Sequence, residues 1–329
     1  MLTLTFAAAL IYVFWNGLHD SPTILAQIFS TRSMGPRRAL LMTGALEFVG
    51  AVFFSGTVLK TMSFENTEIM NIVRPASQEI QVFVLSALMV ALVFNVATWY
   101  LGFPSSSTHA LFGAITGAAL ALGMGRAHIV MELAGLFGVL LGSAVIGSVL
   151  GFLLTRGVYR LDIPYHWGEF WVPRLNTVMA GILPLLHGAN DVSKGLGLFL
   201  MARAAAPASF WSGFSVQGYI VLFALMISAG MLFGENKILK TLGRGIFCVR
   251  PIQGLTSGVV SASTMAGCTA LGFPISSTQV LVGALLGAGA AKNVRQIRWM
   301  VVGEILLSWI VTLPACLFFG YLAAKFLGS

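Results

Sequence analysis

The chain has 329 residues, of which 57% are hydrophobic and only 9% charged, with a mean hydropathy of +0.89 and a net charge of +8. A soluble domain carries about a quarter charged residues, so this composition excludes a water-soluble globular protein. The basic excess sits in short segments between apolar runs, as topology signals do, which argues against a nucleic-acid-binding surface.

Apolar stretches of about 20 residues or more, enough to span roughly 30 Å of hydrocarbon as helix, recur from end to end. The pattern predicts helices over 2–31 (interrupted around 17–22), 38–60, 80–100, 104–122 and 129–155. A second series follows over 175–203 (interrupted around 188–192), 210–233, 246–270, 274–291 and 299–325. The first apolar run lacks a basic start and a small-residue cleavage site, so no cleavable targeting segment is expected. Cys248, Cys268 and Cys316 lie in or beside apolar segments without ligand-like spacing and read as packing residues. The aromatic run from Tyr165 through Trp171 reads as an interfacial anchor.

The two series are copies. Gly102–Ala119 and Gly272–Gly289 agree at eleven of eighteen positions with an offset of 170. Asn16-Gly17-Leu18-His19-Asp20 and His187-Gly188-Ala189-Asn190-Asp191 pair at an offset of 171. Self-similarity at one distance marks a duplication, with residues 1–155 as the first repeat, 156–174 as a cytoplasmic linker and 175–329 as the second repeat. Five crossings per repeat is odd, so the second copy enters from the opposite side. With the N-terminus outside, the inside segments hold Arg32, Arg37 and Arg38; Arg156, Arg160 and Arg174; Lys237, Lys240 and Arg244; and Lys292, Arg295 and Arg298. The outside segment 61–79 carries Glu65, Glu68 and Glu79 against Arg74. This satisfies the positive-inside rule. The expected fold class is therefore an all-α polytopic membrane protein of two inverted-topology repeats, with broken helices. Segments 104–122 and 274–291 either span or re-enter as helix hairpins. Both termini face outside a plasma or bacterial inner membrane.

Gly17 and Pro22 flank His19 and Asp20; Gly188, Gly195 and Gly197 flank Asp191. Glycine and proline weaken helices, and backbone freed at membrane depth survives only inside protein or beside water. Two aspartates at symmetric breaks read as a cation site, with unwound carbonyls adding oxygens. Each can also cap the helix half that follows it. His19, Thr23, Asn190, Lys194 and Glu47 are further candidates for the ion path. Glu47 lies mid-span with no counterpart in the other half; Glu304 could join the ion path or bond a neighbouring helix, and Asn95 reads as a helix-bridging polar residue. His128, His166 and His187 look scattered and suggest no metal constellation.

Pro104-Ser105-Ser106-Ser107-Thr108 and Pro274-Ile275-Ser276-Ser277-Thr278 open small-residue helical runs. Such a start offers unpaired N–H donors, a positive dipole end and hydroxyls. That is an anion site without a fixed cation, and two of them converging from opposite sides suit a tetrahedral oxyanion. Glycines 113, 117, 283 and 287 behind them allow close helix packing. His109 and Gln279 close the two motifs as further candidate ligands.

These four motifs, G-L-H-D-S-P-T at 17–23, P-S-S-S-T-H at 104–109, G-A-N-D-V-S-K at 188–194 and P-I-S-S-T-Q at 274–279, resemble the PiT family of inorganic phosphate transporters over essentially the whole chain. The resemblance implies a homodimeric carrier importing phosphate with sodium or proton coupling, and no cofactor beyond bound sodium ions. Its partners would be phosphate, the coupling cation and the lipid bilayer, with no nucleic acid. Carried over by position, Asp20 and Asp191 become cation ligands, and Ser106, Ser107, Thr108, Ser276, Ser277 and Thr278 face phosphate, with Ser105 beside them. The family usually places Asn three residues after each Asp; this chain has Thr23 and Lys194. If residues 191–197 are helical, Lys194 shares a face with Asp191. Its ammonium could then replace a bound cation, giving coupling to protons or to fewer sodium ions. The competing readings are a sulfate or arsenate carrier, an intramembrane hydrolase using a serine and His109, and a passive channel. A hydrolase leaves the duplication without purpose, and a channel needs no symmetric buried carboxylates. No enzymatic activity is expected.

Overall fold

The computed structural model describes residues 1–30, 34–64, 78–102, 105–124, 127–161, 165–206, 213–234 and 249–329. Among these the elements are α1 (Leu2–Ser30), α2 (Pro36–Phe54), α3 (Gly56–Met62), α4 (Gln78–Leu101), α5 (Ser107–Ala121) and α6 (Ala127–Arg160). Then come α7 (Tyr165–Ala204), α8 (Val216–Phe233), α9 (Pro251–Ala270), α10 (Ser277–Lys292), a 3₁₀ turn (Val294–Gln296) and α11 (Trp299–Gly328). Helix is the expected outcome for so apolar a chain, because it satisfies its backbone groups internally where no water can.

Five helices, α1, α4, α6, α8 and α11, are long and apolar enough to cross a membrane; α2 and α3, bent by 69°, add a sixth if counted as one span. The sequence suggested ten spans. Two of the expected ones, α5 and α10, are 15 and 16 residues long; at about 1.5 Å per residue each falls well short of the hydrocarbon thickness. Helices α7 and α9 have the length, but buried polar residues such as Asn176, Asp191, Lys194, Gln253 and Ser257 lower their hydropathy.

Both expected interruptions are absent: α1 and α7 run continuously through 17–22 and 188–192. In α1, Pro22 has no amide to offer the Leu18 carbonyl, and Ser21 Oγ donates to that oxygen instead, at 3.1 Å. The glycines act as notches: a Cβ on Gly17 would meet the Ile227 carbonyl, and one on Gly188 would meet the Glu47 carbonyl. With the helices unbroken, neither unwound carbonyls nor Asp capping applies at Asp20 or Asp191.

The break lies elsewhere, at Ser55 between α2 and α3, inside the expected helix 38–60. Ser193 Oγ of α7 donates to the Ser55 carbonyl at 3.0 Å, and Thr57 Oγ1 donates to the Thr269 carbonyl of α9 at 2.5 Å. The kink is thus served by protein rather than lipid. Much of the expected linker 156–174 is also helical, since α6 reaches Arg160 and α7 starts at Tyr165. Residues 65–77 and 235–248, which hold most of the outside acidic segment, the third basic segment and Cys248, lie outside the described residues, as do Arg32 and Pro104.

Packing pairs helices that the sequence self-similarity relates. Helix α5 lies along α11 as α10 lies along α6, and α1 lies along α8 as α2 lies along α7. Gly113 and Gly117 of α5 meet the Leu313 and Leu317 carbonyls, and Gly283 and Gly287 of α10 meet those of Ala144 and Ser148. Every one of these pairs joins one half of the sequence to the other. Helices α4 and α9 end alike, at left-handed Gly102 (φ 74°) and Gly272 (φ 78°), conformations open to glycine but strained for residues with a Cβ. These turns send the chain back into the serine-rich starts of α5 and α10.

Candidate functional site

Ser106 and Ser276 are the N-caps of α5 and α10, accepting from the backbone N–H of His109 at 3.2 Å and of Gln279 at 3.3 Å. The two caps meet: Ser106 Oγ donates to Ser276 Oγ at 2.9 Å, deep in the protein. The first intrahelical bonds run from Ala110 N to Ser106 O and from Val280 N to Ser276 O. The amides of Ser107, Thr108, Ser277 and Thr278 therefore have no intrahelical acceptor, and two positive dipole ends face each other.

The carboxylates lie against these starts. Asp20 accepts from Ser107 Oγ at 3.0 Å and from Thr278 Oγ1 at 3.2 Å, one hydroxyl from each half. His19 Nδ1 stands 2.9 Å from Asp20 Oδ1, and His19 Nε2 lies 3.3 Å from Ser105 Oγ, which donates to Thr98 Oγ1 at 2.7 Å. Asp191 accepts from Asn16 Nδ2 and from Lys194 Nζ, both at 2.7 Å. Lys194 also donates to Thr108 Oγ1 at 2.7 Å and to the Ile275 carbonyl at 2.8 Å. Asn190 accepts from Ile275 N at 3.2 Å and donates to the Phe273 carbonyl at 3.3 Å.

A buried ion is costly unless fully partnered, and Lys194 and Asp191, both fully enclosed, meet that condition. The helical run 191–197 puts them on one face, so Lys194 does not snorkel to an interface.

His187 joins the two halves of the cluster. Its Nε2 lies 3.3 Å from Asp191 Oδ2 and 3.7 Å from Asp20 Oδ2, while Nδ1 makes a short contact with Glu47 Oε1. Asp20, His187 and Asp191 offer ligand atoms all within 4.8 Å of one another. The expectation that His187 is one of a scattered set is thus corrected. The clue was present, since Asn16 and His187 are repeat mates, each one helical turn before its aspartate. Asn16, Thr98 and the Ile275 carbonyl were missed as well. The carbonyl could not be found from residue type, because any residue carries one.

Of the residues singled out beforehand, Asp20, Asp191, His19, Asn190, Lys194, Glu47, Ser105, Ser106, Ser107, Thr108, Ser276 and Thr278 come together through these bonds. Ser277 and Thr23 share a narrow gap with Asp20, Ile24, Leu183 and Met265. His109 Nδ1 and both amide atoms of Gln279 are buried and make no hydrogen bond among the described residues. Glu304 sits on the exposed face of α11, away from the cluster. The Asn95 side chain bonds no neighbouring helix among the described residues, contrary to its expected bridging role.

The geometry therefore sets two helix starts, with amides and hydroxyls turned to each other, beside buried carboxylate and carbonyl oxygens. Comparison with known proteins decides the family: residues 16–320 match the model of the phosphate transporter family. The chain belongs to the phosphate transporter family. Within it, the chain is 33% identical over 318 residues to a Bacillus subtilis protein described as "Probable low-affinity inorganic phosphate transporter", covering 96% of this chain and 93% of the relative. A Rhizobium meliloti protein of the same description is 34% identical over 316 residues, covering 94% and 91%. A solved structure titled "The sodium-dependent phosphate transporter" matches the fold with a TM-score of 0.84 at 22% identity, over 99% of this chain and 98% of that one. Family membership places this multi-pass membrane protein among transporters rather than hydrolases.

Proposed function

We infer that the chain is a secondary carrier that imports inorganic phosphate with a coupling cation, sodium or proton, by alternating access. The observation that carries this is the meeting of Ser106 and Ser276 at 2.9 Å, beside hydroxyls that reach Asp20 and Lys194. A phosphate inserted between the caps would take hydrogen bonds from the free amides and hydroxyls of both helix starts. Asp20 and Asp191 would repel that dianion unless positive charge sits with them, and this electrostatic dependence is the basis of coupling. Each carboxylate is tied to both halves, so cation and phosphate would bias the same rearrangement. Inverted repeats with both termini outside fit this reading, supported by the symmetric exchange of helices between halves. A homodimer is part of the same proposal.

Sulfate is the nearest alternative substrate. Near neutral pH phosphate still carries a proton to donate, whereas sulfate has none. A site with Asp20 among its acceptors suits the ion that can donate, and leaves a sulfate facing an unpaired carboxylate. The test is uptake and counterflow of labelled phosphate in proteoliposomes, with sodium and proton gradients imposed separately and sulfate as competitor. Accelerated exchange under counterflow is expected from a carrier. Equal transport of sulfate, or flux that labelled counter-substrate does not accelerate, would remove the reading.

A further inference from the structure

We propose that Lys194 is a tethered counter-ion that permanently fills one of two repeat-related cation positions, leaving the carrier a single mobile monovalent cation per phosphate, held at Asp20. This rests on the phosphate-carrier reading and specifies its coupling.

The ammonium of Lys194 has three donors, and three oxygens receive them: Thr108 Oγ1 and Asp191 Oδ1 at 2.7 Å, and the Ile275 carbonyl at 2.8 Å. A hydroxyl, a carboxylate and a backbone carbonyl are the hard oxygen ligands that an alkali cation takes. The nitrogen thus stands where an ion of that class would bind.

The duplication locates the matching place. At offset 171, Asp191 pairs with Asp20 and Lys194 with Thr23; at offset 170, Thr108 pairs with Thr278 and Ile275 with Ser105. The equivalent oxygens in the first half are those of Asp20, Thr278 and the Ser105 carbonyl. Two of them meet directly, Thr278 Oγ1 lying 3.2 Å from Asp20 Oδ1. Where the second half extends a lysine, the first half has the short Thr23, which lines a narrow gap with Asp20 and Ser277. One member of the pair is filled by a side chain; at the other, Thr23 is too short to bring a tethered charge to the oxygens of Asp20 and Thr278.

Charge leads to the same count. Asp191 is neutralised by Lys194, while among the described residues the ion-pair partners of Asp20 are His19 and His187, and Glu47 faces His187. Counted over the two aspartates and Lys194 alone, one external cation balances the pair ahead of phosphate.

The experiment uses the full-length protein in proteoliposomes, with inorganic phosphate as substrate. Zero-flux measurements set a phosphate gradient against an imposed sodium or proton gradient and give the cations coupled per phosphate. The wild type should couple one cation with a hyperbolic concentration dependence. Lys194→Asn should couple one more and become sigmoidal, whereas Lys194→Arg, which keeps the charge, should match the wild type. An unchanged count in Lys194→Asn would overturn the proposal. If that variant fails to assemble, the wild-type curve still decides, because a sigmoidal dependence or a need for two cations overturns it. A wild type that carries no phosphate would bring down the carrier reading and this inference together. Phosphate uptake with two coupled cations brings down this inference alone.

Discussion

At the scale of single residues, the site is built from pairs that do unlike work. Ser106 and Ser276 are repeat mates, and each caps its own helix while touching the other. Removing a cap costs about 1 kcal/mol of stability, while losing a hydrogen bond to a charged ligand costs roughly 1.5–3 kcal/mol. Ser276→Ala should therefore raise the phosphate KM about ten- to a hundredfold, each tenfold being about 1.4 kcal/mol, with the folded fraction little changed. Initial uptake rates against phosphate concentration check this; an unaltered KM would take Ser276 out of the site. Asp20→Asn keeps the shape but removes the charge, so cation-driven accumulation should be lost. Counterflow at saturating phosphate should fall less, since substrate exchange needs no net cation movement. Parallel uptake and counterflow assays separate the two effects.

Elements show how polar sequence is kept helical inside a membrane. In α1, the Leu18 carbonyl abandoned by Pro22 is taken by Ser21 Oγ at 3.1 Å. Ser21→Ala should cost about 1 kcal/mol. That cost should shrink in a Pro22→Ala background, where the helix regains its own amide. A double-mutant cycle of thermal unfolding in detergent measures the coupling, and additive effects would show that the serine serves something else. Glycines give a cleaner sign. On an unhindered helix, Gly→Ala gains up to about 1 kcal/mol. Gly138 has nothing within 4 Å of an added Cβ, while at Gly188 the Cβ would strike the Glu47 backbone. Gly138→Ala should hold or raise the melting temperature and Gly188→Ala should lower it. Equal shifts would mean that the α2–α7 crossing is looser than described.

For the whole molecule, helix exchange between halves makes neither half self-sufficient, since α5 and α10 each find their main partner in the opposite half of the sequence. The proposed orientation is testable with single cysteines in a background lacking Cys248, Cys268 and Cys316. A cysteine at Ser329 should react with a membrane-impermeant maleimide on intact cells, and one at Gly157, on the exposed end of α6, only after permeabilisation. The opposite pattern would invert the topology.

Composition established a membrane protein, because a chain with 9% charged residues cannot cover a water-facing surface. The self-similarity of the two halves and the four motifs were legible for a similar reason: residue types at fixed spacing are local properties. Aspartates and hydroxyls could be paired across the repeats before any fold was known. The same local reading misplaced the helix breaks. A glycine weakens a helix or notches it for a neighbour, and only the neighbour's position tells which. Gly17 and Gly188 are notches because Ile227 and Glu47 press against them, whereas the real kink at Ser55 holds because Ser193 serves its carbonyl. Likewise Lys194 could be placed one turn from Asp191, but its bonds to Thr108 and Ile275, 86 and 81 residues distant, were not legible. Nor was His187's position among three carboxylates. Such meetings depend on how separate helices cross, and the energy that selects a crossing is distributed over the whole packed interface rather than written in any one segment.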